Sequence, residues 1–288
     1  MNVKSAIFRR LGIQSKADIR FMLDDGLVLA WDSLARLREP WTFSAELKAA
    51  LARNNSQHNR FKGKRCWIVG NGPSIGRQDL TLLENEITFV VNRFIHHEQA
   101  EAINPTFYVI VDPKFGAGTW GADFVNQVEE RLPNVEMIIG FDGEKFLNAR
   151  GLLVAHRRHV IRPNQLFCFG YPYEIDLTRG IPGMDNVTKC AISTAVYMGF
   201  SEINLLGIDG NGLLISADSH FYGHVPGPET QEGLERALAS ASMSMRSWRS
   251  ITGYLGHRGV ELVSRNPESV MTSLPYRPYE EAFERGDP

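Results

Sequence analysis

The chain has 288 residues, is 43% hydrophobic and carries a formal net charge of -2, which allows one large core and argues against bulk attraction to nucleic acid. No apolar run reaches the roughly 18 residues of a membrane-spanning helix, and the first residues, despite Arg9 and Arg10, lack the apolar core of a secretory leader. Cys66, Cys168 and Cys190 are far apart and show no metal-ligand spacing, so a cytoplasmic protein is expected.

Residues 1–60 differ from the rest. Leu23, Leu27, Trp31, Leu34 and Leu37 recur at helical spacing, and Pro40 is predicted to stop that helix. A second helix is expected over 45–52, and 54–57 is a polar break. This reads as a helical N-terminal extension outside the sheet core, whose apolar stripe packs on the α/β domain or on another subunit. For the protein as a whole, peripheral contact with the inner membrane face is a further expectation.

From Lys64 the pattern changes. Short apolar runs near 65–70, 87–91, 107–111, 135–140 and 202–208 alternate with helical stretches near 94–102, 119–131 and 187–199. Alternation of this kind predicts a doubly wound, mostly parallel, Rossmann-like sheet, a single nucleotide-binding domain over 61–275 with a tail at 276–288. Ala191, Ala195 and Gly199 are four apart and would let their helix lie close to the sheet. Residues 143–185 show weak periodicity and read as loops. His96-His97 and His156-Arg157-Arg158-His159 read as solvated surface, with Arg157 or Arg158 a charge for an anionic donor or acceptor. Residues 210–230 form a second irregular stretch, a candidate lid. Leu234, Leu238, Ala241, Met245, Trp248, Thr252 and Leu255 mark a long amphipathic helix packed mostly in the core, and a last strand is expected over 260–263.

Four of the runs end on an amide or a carboxylate: Asn71, Asn92, Asp112 and Asp209. In an open α/β sheet, ligands bind outside the carboxyl ends of the strands. The sequence therefore repeats a polar side chain at the mouth of one crevice. After the first run comes Gly70-Asn71-Gly72-Pro73-Ser74-Ile75-Gly76. Its glycines permit close approach to a ligand. The spacing is not the dinucleotide fingerprint, the residue after the second run is Asn92 and not an acid, and Pro73 removes an amide that a phosphate cradle would use. Asp185, Asn186 and Thr188 lie at a helix start, where they cap the helix or help bind phosphate.

The stretch from Lys62 to Ser74, then Glu86-Ile87-Thr88-Phe89 with Asn92-Arg93, then Val111-Asp112-Pro113, resembles bacterial proteins that share a domain with the archaeal 6-hydroxymethylpterin diphosphokinases. Asn186-Val187-Thr188, Met198-Gly199-Phe200-Ser201-Glu202-Ile203 and Gly207-Ile208-Asp209 fit the same group. That group is similar to the sialyltransferases of glycosyltransferase family 42, which carry Gly-Asn-Gly-Pro-Ser after the first strand, Asn after the second, Gly-Ile-Asp after a late strand and a Ser-His-aromatic segment, here Ser219-His220-Phe221. The resemblance spans roughly residues 62–270. It departs at Asn211, where the sialyltransferases have a tyrosine, at Asn186-Val187-Thr188 in place of Thr-Ser-Gly, and at Asp112 in place of Asn.

The resemblance implies a cytidine nucleotide held by Asn71 and Asn92, and His220 as general base. The expected substrate-binding set is Asn71, Gly72, Ser74, Asn92, Asp112, Asn186, Thr188 and Asp209. The implied activity is transfer from a CMP-activated acidic sugar to a glycan acceptor in bacterial surface-glycan synthesis, with no cofactor required. Asp112 and Asp209, ending two strands of one sheet, offer the alternative of a shared Mg²⁺ and ATP-dependent pyrophosphoryl transfer. A third reading is a non-catalytic nucleotide-binding or assembly protein, with the N-terminal helices as its interaction surface; a homo-oligomer is a separate expectation.

Overall fold

The computed structural model describes residues 15–210 and 230–284. Two helices, α1 (Lys16–Thr42) and α2 (Ala45–Ala52), and a 3₁₀ turn at Arg53–Gln57 lead into β1 (Arg65–Val69). There follow β2 (Thr88–Val91), α3 (Ala100–Ile103), β3 (Phe107–Ile110), α4 (Pro113–Gly116), α5 (Ala122–Arg131), β4 (Glu136–Gly140) and α6 (Phe141–Arg150). The chain continues with β5 (Arg158–Gln165), β6 (Gly180–Pro182), α7 (Val187–Tyr197), β7 (Glu202–Leu206), α8 (Gln231–Gly256), β8 (Glu261–Ser264) and α9 (Glu281–Glu284).

All eight strands pair in parallel, in the order β6-β5-β4-β3-β2-β1-β7-β8. The expected doubly wound α/β sheet is therefore present. Side chains of a strand alternate between faces, and the cores obey this. Trp67, Val69, Val90, Tyr108, Ile110, Met137 and Ile139 pack on one side with α2, α3, α5 and α6. Cys66, Ile68, Phe89, Val91, Phe107, Val109 and Ile138 pack on the other with α7 and α8. Ala191 and Ala195 are fully buried, as their spacing predicted.

From β1 the chain winds outward through β2 to β6, then returns to place β7 on the other side of β1. The direction of winding thus reverses between β1 and β7. Such a reversal opens a crevice at the carboxyl ends of the strands.

Several expectations are corrected. Residues 143–185 are not simply loops: they hold most of α6 and all of β5 and β6. Their pattern is weak because polar residues fill β5 and Pro163 interrupts its pairing, with a register shift between Pro163 and Gln165 where the proline has no N–H to donate. Nor does Pro40 end α1, which runs on to Thr42. The carbonyl of Arg36, deprived of its helical donor by Pro40, accepts instead from Arg179 Nη2 at 3.0 Å. The stretch near 94–102 is a 3₁₀ turn (Asn92–His96) followed by the single turn of α3.

The histidines read as surface are largely interior. His97, His156 and His159 are buried. His156 Nε2 lies 3.1 Å from the Leu132 carbonyl, and His159 Nε2 lies 2.7 Å from Glu136 Oε2. Arg157 and Arg158 pair with Glu136 and Glu144 at the amino end of β5, so they face away from the crevice. In α8, Trp248 and Leu255 are buried but Leu234 and Leu238 are exposed, so its stripe is core only in its second half.

Residues 45–57 join the sheet's packing ahead of residue 61. Leu47 and Leu51 belong to the core, and Asn54 Nδ2 donates to the Val160 and Leu177 carbonyls at 2.7 and 2.9 Å. Among the described residues no helix is long and apolar enough to cross a membrane.

Candidate active site at the carboxyl edge of the sheet

The crevice at the strand ends is a cavity of about 790 Å³. Asn71, Gly72, Asn92, Asp112, Asn186, Thr188 and Asp209 all border it, so one feature gathers most of the expected set. Ser74 sits behind Asp209, hydrogen-bonded to it. His220 lies outside the described residues, as does nearly all of the 210–230 stretch.

Each strand exit shapes its polar side chain differently. After β1, Asn71 Nδ2 donates to the Val91 carbonyl at 3.0 Å, which fixes the amide across the β1–β2 gap and leaves Oδ1 buried with no partner. After β2, Asn92 holds φ at +49°, a left-handed conformation that asparagine tolerates better than most residues. Tyr108 donates its hydroxyl to the Asn92 carbonyl, and Asn92 Oδ1 is again buried without a partner. After β3, Asp112 caps α4, accepting the Lys114 N–H at 2.8 Å. Within β5, Arg162 contributes a buried Nε with no partner.

The β1 and β7 exits are knitted together. Gly72 donates its N–H to the Gly207 carbonyl at 2.8 Å, and a Cβ on Gly72 would stand 2.6 Å from Asp209 Cγ. Glycine is needed there for contact between two strand exits. Asp209 is buried and saturated: Oδ2 accepts the Ser74 N–H at 3.0 Å, and Oδ1 accepts Ser74 Oγ at 2.5 Å and Asn266 Nδ2 at 2.6 Å. Among the described residues no three His, Cys, Asp or Glu side chains form a group that could hold a metal ion.

The start of α7 closes another wall. Asn186 Oδ1 caps the Thr188 N–H at 2.8 Å. Asp185 pairs with the fully buried Lys189, whose ammonium also donates to Ser244 Oγ at 3.1 Å. Burial pushes Lys189 below the usual lysine range, against the pull of Asp185. The other Asp185 oxygen, Oδ1, and Trp248 Nε1 are buried without partners, and both residues border the cavity.

The cavity therefore presents unpartnered acceptors on Asn71, Asn92 and Asp185, and unpartnered donors on Arg162 and Trp248. An unsatisfied buried group costs about 1–3 kcal/mol. A ligand offering N–H or O–H groups near β1–β2 and an anionic oxygen near β5 would satisfy them. Arg162 is the sole cation among the described lining residues. Sequence reading missed it because its strand was missed; the usable signal was Val160-Ile161, a short apolar run ending on a polar side chain as the other four do.

No protein-family model and no curated protein matches this chain. Among solved structures, it is similar to the sialyltransferase CstII from Campylobacter jejuni, determined with the substrate analogue cytidine-5'-monophosphate and also with CMP and a trisaccharide acceptor. That match has 16% identity, covers 75% of this chain and 86% of that one, and has a TM-score of 0.43. The monofunctional α-2,3-sialyltransferase Cst-I of the same organism is 13% identical, with 74% and 80% coverage and a TM-score of 0.44.

Proposed function

We propose that this chain is a nucleotide-dependent transferase, an inverting glycosyltransferase that uses a CMP-activated acidic sugar in bacterial surface-glycan synthesis. The observation that carries this reading is the set of unpartnered atoms, Asn71 Oδ1, Asn92 Oδ1 and Arg162 Nε, around one cavity at the switch point of the sheet. The two amide oxygens suit the hydroxyl and amino groups of a cytidine. The guanidinium suits an oxyanion of the donor. The motif resemblance supports the same nucleotide.

In this reaction an acceptor hydroxyl attacks the anomeric carbon. Its proton passes to the imidazole of His220, the glycosidic bond forms, and the bond to the phosphate oxygen breaks as CMP leaves. The role of His220 rests on its Ser-His-Phe motif. His220→Ala should lower the transfer rate by about 10²–10⁴ while nucleotide affinity stays within a few-fold. A near-normal rate removes His220 from the mechanism.

The direct test is thermal stabilisation by CMP, CDP, UDP, GDP, ADP and ATP, each with and without Mg²⁺. CMP at 100 times its dissociation constant should stabilise the protein by about 2.7 kcal/mol without metal. Stabilisation by ATP alone, and only with Mg²⁺, would overturn the proposal in favour of pyrophosphoryl transfer.

A further inference from the structure

One face of α1 is apolar, exposed and bordered by cations. Ile19, Leu23, Leu27, Trp31, Leu34, Leu37 and Trp41 recur at helical spacing, with Leu27, Trp31 and Trp41 exposed by 71%, 72% and 82%. At about 1.5 Å per residue this 27-residue helix is about 40 Å long, so the stripe is far larger than a stray surface leucine.

The charges are sorted across the same helix. Lys16, Arg20 and Arg38 are exposed. The acids turn toward the body or into local bonds. Asp25 pairs with Arg246 at 3.2 Å, Asp32 accepts the Leu166 N–H at 2.9 Å, and Glu39 accepts Arg179 Nε at 2.9 Å and the Gly180 N–H at 3.0 Å. Asp18 completes the capping box with Ser15, and Asp24, at the border, lies 4.0 Å from Arg246. By sequence, residues 1–14 add Lys4, Arg9 and Arg10 with Ile7, Phe8, Leu11 and Ile13, and no acid.

Beside the stripe, between α1 and α8, lies a cleft of about 400 Å³ lined by Phe21, Met22, Phe169 and Tyr254 together with Arg249 and Arg258. Met22 and Phe169 are exposed. Apolar lining with cations nearby thus extends from the helix into the body.

We propose that the exposed face of α1 docks this protein on an anionic lipid bilayer. A helix with an apolar face bordered by Lys and Arg, and carrying tryptophans, lies in the interfacial plane with that face among the acyl-chain ends and its cations on headgroup phosphates. Charge selects this occupant over a second copy of the chain. Two such faces brought together would crowd Lys16, Arg20 and Arg38 of both copies along a drying border.

The test is flotation of the full chain with phosphatidylcholine vesicles, with and without phosphatidylglycerol, and needs no activity. The chain should float with the anionic vesicles and not with phosphatidylcholine alone. Leu27→Glu combined with Trp31→Glu should lower binding at least tenfold, leaving the melting temperature and any CMP stabilisation unchanged. Arg20→Gln or Arg38→Gln should each weaken binding about fivefold at low salt. Absence of flotation, or flotation that the double substitution does not reduce, overturns the proposal. So does a dimer in sedimentation that the double substitution splits, which would give the face to a second copy.

Discussion

The two edges of the sheet treat polar side chains differently. At the amino edge most of them satisfy one another, although Arg158 Nη1 and His156 Nδ1 are buried without partners. Glu86 accepts Arg65 Nε and Trp67 Nε1, both at 3.1 Å, and Glu136 takes Arg60 and His159. At the carboxyl edge, Asn71, Asn92, Arg162, Asp185 and Trp248 each keep a buried atom without a partner. An edge that is mostly paired is scaffold, and one whose unpaired atoms gather around a single cavity is shaped for something that arrives later. The β7 corner is the exception, a piece of scaffold inside the binding edge, because Asp209 is taken up by Ser74 and Asn266.

That exception is the sharpest place to break the comparison. Asp209→Ala strands Ser74 N–H, Ser74 Oγ and Asn266 Nδ2 in a buried setting, and should cost about 3 kcal/mol or more of stability. Urea denaturation measures this. A loss well under about 1 kcal/mol would show that the corner is not scaffold.

Substitutions at the unsaturated positions should do the reverse. Asn92→Gly keeps the left-handed backbone unstrained and removes the unpartnered Oδ1. CMP affinity should fall by about 1–3 kcal/mol, read by calorimetry, with the denaturation midpoint nearly unchanged. Unaltered affinity in a folded variant takes Asn92 out of the site. Arg162→Gln removes a guanidinium whose buried Nε bonds to nothing, so stability should hold or rise. Its affinity for CMP should drop by about 1.5–2 kcal/mol, roughly ten- to thirtyfold, while affinity for cytidine, which lacks the phosphate, stays put. Equal losses for both ligands would place Arg162 on the nucleoside instead.

The saturated half of this contrast was harder to read from the sequence than the unsaturated half. Cys66-Trp67-Ile68-Val69 and Phe107-Tyr108-Val109-Ile110 announce buried parallel strands through hydrophobicity alone, and the residue that follows each run sits at the cavity. β5 carries Arg158, His159 and Gln165, and their partners lie outside the strand: Glu144, Glu136, and Tyr171 donating to Gln165 Oε1 at 2.6 Å. No local pattern encodes those pairings. Similarly, a strand ending in Asp209 says nothing about Asn266, 57 residues on, which shares its carboxylate.

The smallest expected effect tests the amino edge by pH. Burial favours the neutral form of Glu136, but hydrogen bonds from His159 and Arg60 outweigh it and hold the carboxyl down to about 2, from 4.5. A carboxyl lowered on folding stabilises the folded state above its unfolded pKa, and that contribution fades as pH falls toward the folded one. Glu136 should thus contribute fully above about pH 4.5 and lose its contribution by about pH 2. Partial exposure of Arg60 limits its size to the order of 1 kcal/mol. Glu136→Gln should be less stable than the parent near neutral pH, and the gap should close across that acid window because the protonated parent then resembles the variant. A gap that stays constant from pH 6 to pH 2.5 would mean that packing, and not the ion pairs, is what Glu136 contributes.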